Sequence, residues 1–482
     1  MPPGRWPGPP PLLGGGTLPA AWAEHWAARP GAPVLVNGRD PTQTVDAQSL
    51  DGRTAALATA LAARGVGQGE RVLWCARSTL SAVEALVAVV RSGAVLVPVS
   101  PSATPSEIAH VLDDAGPVVA LFDDDRPDLR RDGLAVLTLE HLEREAARIT
   151  AVTPPELDPE ADALIVYTSG TTGKPKGAVH THASLLAGAS ALLTAWGWTH
   201  EDRLLLALPL FHVHGLCAGL FGTLTAGAAA IVFDRFDEPA ILQGAAAGTM
   251  FFGVPTMYHR LARTGEVAAL GRLRLCVSGS APLVADLWRA LDGEGVRVLE
   301  RYGMTETLLT LSNPLDGERR PGSVGVPLPG VDAAVDDVDD AGVGELLVRG
   351  PSLCRGYWGR ARSRPGDWFA TGDLVSVADD GYVTVRGRRS DMIITGGHNV
   401  YPAEVEDVLA RHPGVAEVAV VGLPSEEWGE IVVAYVVGEA DHADLGEWAA
   451  AALAPFKCPR EIRVLPALPR NALGKVVRSE LR

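Results

Sequence analysis

The chain is expected to be α/β: a large N-terminal domain of parallel-rich βαβ sheets plus a β subdomain, then a small α+β C-terminal domain. Three observations lead there. Short apolar runs alternate with Ala/Leu-rich helical segments as far as Glu300, the pattern of βαβ units in a mainly parallel sheet. Near Pro327 the character changes to short β-like segments with Gly/Asp turns, and a compact tail follows Arg388. At 482 residues the chain also exceeds one ordinary hydrophobic core, so more than one domain is expected. We place the boundaries at residues 1–16, a Pro/Gly-rich lead-in expected to be disordered, 17–388, and 389–482.

Taken in order, Gln43 to Arg64 reads as a short strand and then a helix, Arg71–Cys75 as a strand, Ser81–Ser92 as an apolar helix, and Ala94–Val99 as a buried strand. Ser106–Asp114 reads as a helix and Val118–Phe122 as a strand, before an acidic, Pro-containing stretch from Thr153 to Asp162. Ala163–Tyr167 is then a strand feeding a Gly-rich loop, with a helix from about Ala183. The alternation resumes with Leu204–Ala207, Ala230–Phe233, Leu273–Val277 and Val296–Glu300, and β segments follow at Gly344–Val348 and Tyr382–Val385. No internal repeat of the solenoid kind is present.

The net charge of −16, without a basic block, argues against nucleic acid and anionic membranes as partners. An anionic substrate must then be drawn by a local basic site. No apolar run approaches the roughly 20 residues that span a bilayer, and the N-terminus lacks the apolar segment of a signal peptide. Five scattered cysteines without C-x-x-C make disulfide frameworks and zinc sites improbable, so a cytoplasmic protein is expected.

Of 42 basic residues only Lys174, Lys176, Lys457 and Lys475 are lysines. Two stand in the loop Thr168-Ser169-Gly170-Thr171-Thr172-Gly173-Lys174-Pro175-Lys176-Gly177. Glycines admit close backbone approach, hydroxyls and N–H groups donate, and compact ammonium groups neutralise charge, so these are the parts of a phosphate cradle. It is not a Walker A loop, because Pro175 follows Lys174 where Ser or Thr is needed, and position 168 is Thr.

This loop resembles the signature of the acyl-adenylate-forming superfamily: acyl-CoA synthetases, luciferase-like enzymes and peptide-synthetase adenylation domains. Further motifs of that family occur in order, from about Gln43 to Lys475. Ser278-Gly279-Ser280-Ala281-Pro282 resembles the adenine-side loop, and Arg301-Tyr302-Gly303-Met304-Thr305-Glu306-Thr307 the motif that follows it. By that resemblance Tyr302 stacks on adenine, Thr305 meets phosphate and Glu306 holds Mg²⁺. Asp373, in Thr371-Gly372-Asp373, and Arg388 bind the ribose, and Lys475 contacts the acyl carboxylate and α-phosphate. The resemblance also implies a mobile C-terminal domain that rotates between half-reactions, with Gly396, Gly397 and His398 lining the thiol channel. The family usually has Asp or Lys two residues after Arg388; Ser390 stands there, and small residues can also hinge.

The acid is addressed by Leu208–Gly215, Phe252–Arg260 and Gly303-Met304, which resemble malonyl-CoA synthetases, as does Ser312–Gly317. That resemblance implies that Arg260 binds the distal carboxylate and that His212 helps close the acyl site. Arg260 facing solvent or paired with a protein carboxylate is the competing expectation. His214 reads as packing, His180 and His182 as scaffold, and Lys457 as either a CoA-phosphate contact or an exposed lysine.

The expected activity is AMP-forming ligation of malonate, or methylmalonate, to CoA, with ATP and Mg²⁺ and with no carrier domain in cis. Ligation of a short or medium monocarboxylate is the near alternative, and a light-emitting oxygenase or a non-catalytic ATP-binding protein are alternatives of another class.

Overall fold

The computed structural model describes residues 14–168, 175–364, 366–470 and 476–482. They pack as two compact units: the larger holds the chain up to Asp332 together with Arg349–Asp367, and the smaller holds Ala333–Val348 and Trp368–Arg482.

Two sheets form the larger unit among the described residues. A six-stranded sheet runs in the order Ala135–Thr138, Val119–Phe122, Arg71–Cys75, Val95–Pro98, Asp162–Thr168, Lys176–Thr181. A nine-stranded sheet runs Val326–Pro327, Leu308–Ser312, Val298–Met304, Leu275–Ser278, Met250–Gly253, Arg203–Leu206, Ala229–Val232, Pro33–Asn37, Thr44–Asp46. Both are parallel through their centres and antiparallel at an edge.

Alternation of side chains across each strand assigns the two faces. Val72, Trp74, Leu121, Leu164, Leu204, Leu206 and Val277 enter one core shared by both sheets, with the helices Ala47–Ala62, Leu80–Arg91 and His182–Trp196 contributing to it. The intervening Leu73, Cys75, Val97, Ala120 and Phe122 pack on the helix Pro105–Ala115. On the other sheet Leu205, Ile231, Phe251 and Cys276 pack with Ile241, Tyr258, Leu261 and Leu291 from three outer helices. Strands buried on both faces explain why the sequence showed continuous apolar runs.

Helix starts follow their caps. Asp46, Thr79, Thr104 and Thr181 each accept a hydrogen bond from a first-turn N–H, which satisfies donors that no carbonyl can reach. The helix Leu18–Ala28 and the strands Pro33–Asn37 and Lys176–Thr181 are additions to the sequence reading.

The smaller unit contains an antiparallel sheet ordered Asp332–Asp336, Val343–Arg349, Phe369–Val377, Val383–Arg388, and a second sheet ordered His398–Val400, Ile393–Thr395, Gly429–Gly438, Val415–Ser425. Glu461–Val464 pairs in parallel with Gly429–Gly438. Helices Pro402–Leu409 and His442–Ala452 cover one face of the second sheet, through Val405, Leu409, Leu445 and Ala449.

Asp202 locks the end of the larger sheet. It accepts from Thr199 N–H at 2.9 Å, Thr249 Oγ1 at 2.8 Å and Arg274 Nε at 2.7 Å, while Arg274 also donates to the Trp196 carbonyl at 2.8 Å. Burial by itself pushes the Asp202 carboxyl up, and these donors together outweigh it and hold it low. Replacing Asp202 with Ala strands the Arg274 guanidinium, and is expected to lower stability by about 3 kcal/mol in a denaturant titration; a loss under about 1 kcal/mol contradicts this.

Candidate active site

The phosphate-loop residues Ser169, Gly170, Thr171, Thr172, Gly173 and Lys174 lie outside the described residues, as does Lys475. The strands that flank that loop are described. Asp162–Thr168 and Lys176–Thr181 pair antiparallel with Thr168 opposite Lys176. Tyr167 donates to Asp114 Oδ2 at 2.6 Å, and His110 Nε2 donates to the Pro175 carbonyl at 3.0 Å. The Lys176 ammonium lies 5.7 Å from the Tyr357 ring centroid.

The next motif is a hairpin. Val298–Met304 pairs with Leu308–Ser312, with a register shift between Tyr302 and Gly303. At Gly303 a Cβ would come within 1.9 Å of the Leu308 carbonyl oxygen, so only glycine fits this close approach. The turn carrying Thr305 and Glu306 is held from two sides. His180 Nε2 donates to the Thr305 carbonyl at 2.8 Å. Tyr357 donates to Glu306 Oε1 at 2.8 Å, and the Cys354 N–H donates to the Glu306 carbonyl at 2.7 Å. Glu306 is buried and Met304 partly so. Ser280 has φ of 72°, and Ser280, Ala281 and Pro282 form an exposed turn after the strand Leu275–Ser278.

A shell of neutral histidines lies behind these motifs. Burial pushes His180, His182 and His212 down to about 4, and drives His214 further the same way with help from Arg301 and His212. His212 packs against Phe211, with ring centroids 4.6 Å apart, and its Nε2 is buried without a partner among the described residues. His214 stacks on Phe252 at 6.2 Å and opens a π-helical turn, His214–Phe221, a feature that recurs at functional sites.

The two arginines on this side differ. Arg260 is half exposed and holds Glu238 with its Nε and Nη2, at 2.5 and 2.8 Å. It lies over the Phe236 ring as well. Arg301 is buried, 5% exposed, and its Nε and Nη2 have no partner among the described residues. Burial pushes its guanidinium down to about 9, which leaves it charged at neutral pH. A buried cation without an anion costs on the order of several kcal/mol. The guanidinium rests on Gly279, where a Cβ would be 2.3 Å from Arg301 Cζ.

The smaller unit carries further residues that the sequence resemblance singles out. Asp373 and Arg388 pair across adjacent strands, and Arg388 Nε donates to Asp373 Oδ1 at 2.7 Å. Gly372 before them has φ of 72°, and its N–H donates to Glu345 Oε1 at 3.0 Å. Ser390 lies in the short turn Arg389–Asp391. Gly396 and Gly397 have φ of 56° and 81° and form the two-residue loop between Thr395 and His398, a geometry that favours glycine at both positions. His398 stacks on Phe456 at 4.5 Å. Lys457 is bonded to both carboxylate oxygens of Glu404, at 2.7 and 2.8 Å.

Residues 22–358 match the AMP-binding enzyme family, and residues 404–475 match the AMP-binding enzyme C-terminal domain. The chain belongs to the AMP-binding enzyme family. A malonate–CoA ligase of Arabidopsis thaliana is 35% identical over 86% of this chain and 78% of its own length. A feruloyl-CoA synthase of an Amycolatopsis species is 36% identical over 90% of this chain and 92% of its own. The ATP-bound MatB structure from Rhodopseudomonas palustris matches with a TM-score of 0.89 and 35% identity, over 97% of this chain and 98% of that one.

In this AMP-binding enzyme, Glu306 places a single carboxylate in the turn after Met304. That fits Mg²⁺, which is commonly held by one or two carboxylates together with substrate phosphates. Sequence reasoning gave no role to Tyr357, and it treated His180 as scaffold. Both act on the Thr305-Glu306 turn, and a lone tyrosine or histidine far along the chain gave no signal of that.

The histidine shell predicts a pH profile. Below about 6.5 the unfolded chain takes up protons that His180, His182 and His212 refuse until about 4, so stability falls as pH falls through this window. Glu300 works in the opposite sense: burial, partly offset by the Gly322 and Leu283 N–H donors, raises it from 4.5 to about 7, so its contribution falls as pH rises across that range. With His214 behaving in the same direction, four protons outweigh one, and stability is expected to drop by up to about 4 kcal/mol per pH unit between pH 6 and 5. His182→Leu removes a ring whose nitrogens have no partner among the described residues and should flatten the profile. A denaturation midpoint that stays constant from pH 7 to 5 contradicts the assignment.

Proposed function

We propose that the protein is an AMP-forming acid–thiol ligase that joins malonate to CoA. The likeness to ATP-bound MatB over nearly the whole chain carries this reading, and the malonate–CoA ligase relatives support it.

The chemistry follows from the poor electrophilicity of a carboxylate. One malonate carboxylate attacks the α-phosphorus of ATP; an O–P bond forms, and the bond to the β-phosphate oxygen breaks with release of pyrophosphate. The CoA thiol then loses its proton and attacks the acyl carbon, and AMP leaves. Negative charge gathers at the α-phosphate in the first step, and preorganised donors stabilise it most effectively. Lys475, Thr305 and the 168–176 loop, with Lys174 and Lys176, are the proposed donors. Tyr302 stacks on adenine beside Gly303 and Ser280-Ala281-Pro282, and Asp373 and Arg388 hold the ribose. Mg²⁺ at Glu306, when bound, neutralises phosphate charge. His212 and Met304 shape the acyl site, and Gly396, Gly397 and His398 line the thiol path. We keep the domain boundary after Arg388 and a pivot at Ser390 as parts of this proposal, along with a cytoplasmic location. No helix among the described residues is long and apolar enough to cross a membrane. Arg260 is the residue that sequence assigns to the second carboxylate, and Glu238 occupies its guanidinium here.

Acid-dependent pyrophosphate release should rank malonate above acetate, butyrate and succinate. A preference for butyrate removes the dicarboxylate assignment and leaves the adenylation chemistry. Lys475→Ala should slow adenylation by about a hundredfold or more while preformed malonyl-AMP still reacts with CoA. Equal loss of both half-reactions contradicts the role given to Lys475.

A further inference from the structure

We propose that Tyr357 is a positioning residue that fixes Glu306 as a one-oxygen ligand for Mg²⁺ and so sets the enzyme's choice of divalent cation. The inference rests on the ligase reading above and on its placement of the metal at Glu306.

Tyr357 lies on a short segment laid along the strand Lys176–Thr181. The Arg355 and Trp358 N–H groups donate to the Val179 and Gly177 carbonyls at 2.9 and 2.8 Å, and the Val179 N–H donates to the Gly356 carbonyl at 2.9 Å. Ala178 and Tyr357 are antiparallel bridge partners. The same segment reaches the Glu306 turn, where the Cys354 N–H donates to the Glu306 carbonyl at 2.7 Å. One piece of chain thus ties the strand that leaves the phosphate loop to the turn that carries the carboxylate. Tyr357 repeats the link with its side chain. Its ring centroid is 5.7 Å from the Lys176 ammonium, and its hydroxyl donates to Glu306 Oε1 at 2.8 Å. A ring face attracts a cation, so one tyrosine touches both charged groups.

The two oxygens of Glu306 are not equivalent. Tyr357 takes Oε1, and Oε2 accepts no hydrogen bond among the described residues. The residue is 6% exposed, so the protein and not bulk water orients the carboxylate. Held at Oε1, it presents the other oxygen to a cation. Mg²⁺ demands near-octahedral geometry and keeps positions for water and phosphate oxygens, whereas Ca²⁺ accepts a carboxylate through one oxygen or both. A carboxylate tied at one oxygen therefore favours Mg²⁺. Hydrogen bonds to a metal-binding carboxylate orient it, and losing one typically costs about 10–100-fold in metal affinity or activity.

The backbone of the turn does not depend on this contact. His180 Nε2 holds the Thr305 carbonyl and the Cys354 N–H holds the Glu306 carbonyl. Tyr357→Phe removes one hydroxyl and keeps the ring.

The test is ATP affinity of the full chain, read from the titrated rise in melting temperature with EDTA, with Mg²⁺ and with Ca²⁺, on wild type and Tyr357→Phe. No acid is present, so the readout is independent of turnover. In wild type Mg²⁺ should raise ATP affinity more than Ca²⁺ does. In Tyr357→Phe the affinity in EDTA should be unchanged, the gain from Mg²⁺ lower by about tenfold or more, and the gain from Ca²⁺ retained. Malonate-dependent pyrophosphate release should lose its preference for Mg²⁺ over Ca²⁺ in parallel. An unchanged ratio of the two gains overturns the proposal. Equal loss of both gains, or loss of ATP binding in EDTA, makes Tyr357 a purely structural residue and also overturns it. A wild type whose ATP affinity neither cation raises removes the metal at Glu306 and this proposal with it, while malonate-dependent pyrophosphate release still decides the ligase reading by itself.

Discussion

The backbone contact at Gly303 is the constraint on which the candidate site depends. Its Cα sits so near the Leu308 carbonyl that no side chain fits, and this closeness fixes the bulge in the hairpin Val298–Met304 with Leu308–Ser312. Side chains on a strand alternate between faces, so the bulge after Tyr302 sets how Met304 projects relative to Arg301 and Tyr302. The turn beyond it delivers Thr305 and Glu306, and His180 and Tyr357 hold that turn from neighbouring elements. On the function proposed above, nucleotide-side and acid-side residues share one short piece of backbone.

The electrostatics around this hairpin follow from burial. Four histidines in the larger unit are driven neutral because an apolar interior disfavours charge. They fill space, and His180 holds the Thr305 carbonyl, without adding positive charge beside a cation. Arg301 stays charged in the same surroundings, since a guanidinium starts from a far higher pKa. A net charge of −16 gives an anionic substrate no long-range attraction.

Much of the fold was legible in the sequence. Arg71–Cys75 and Val119–Phe122 are strands buried on both faces, and their unbroken apolar runs announce it. Lys176–Thr181 escaped because Pro175 and Gly177 read as loop, although pairing with Asp162–Thr168 makes it a strand. The π-helical turn His214–Phe221 is buried all round, so it has no periodicity to detect. In the candidate site, the motifs named the segments for which roles are proposed. Arg260 drew attention because an arginine after Tyr258-His259 seemed costly there, and sequence alone could not show that Glu238 stands within 2.5 Å of it. Arg301 stood inside a recognised motif and drew none. Its guanidinium rests on Gly279, which reaches it only through the pairing of strands distant in sequence.

The central claim is that a charge on the far end of the acid is read by the protein. The most direct measurement compares malonate with its monomethyl ester as substrates of the unaltered enzyme, by acid-dependent pyrophosphate release. The ester keeps the reacting carboxylate and the spacer and removes only the distal charge. The account predicts a kcat/KM for the ester lower by about a hundredfold or more. An ester turned over as efficiently as malonate contradicts it.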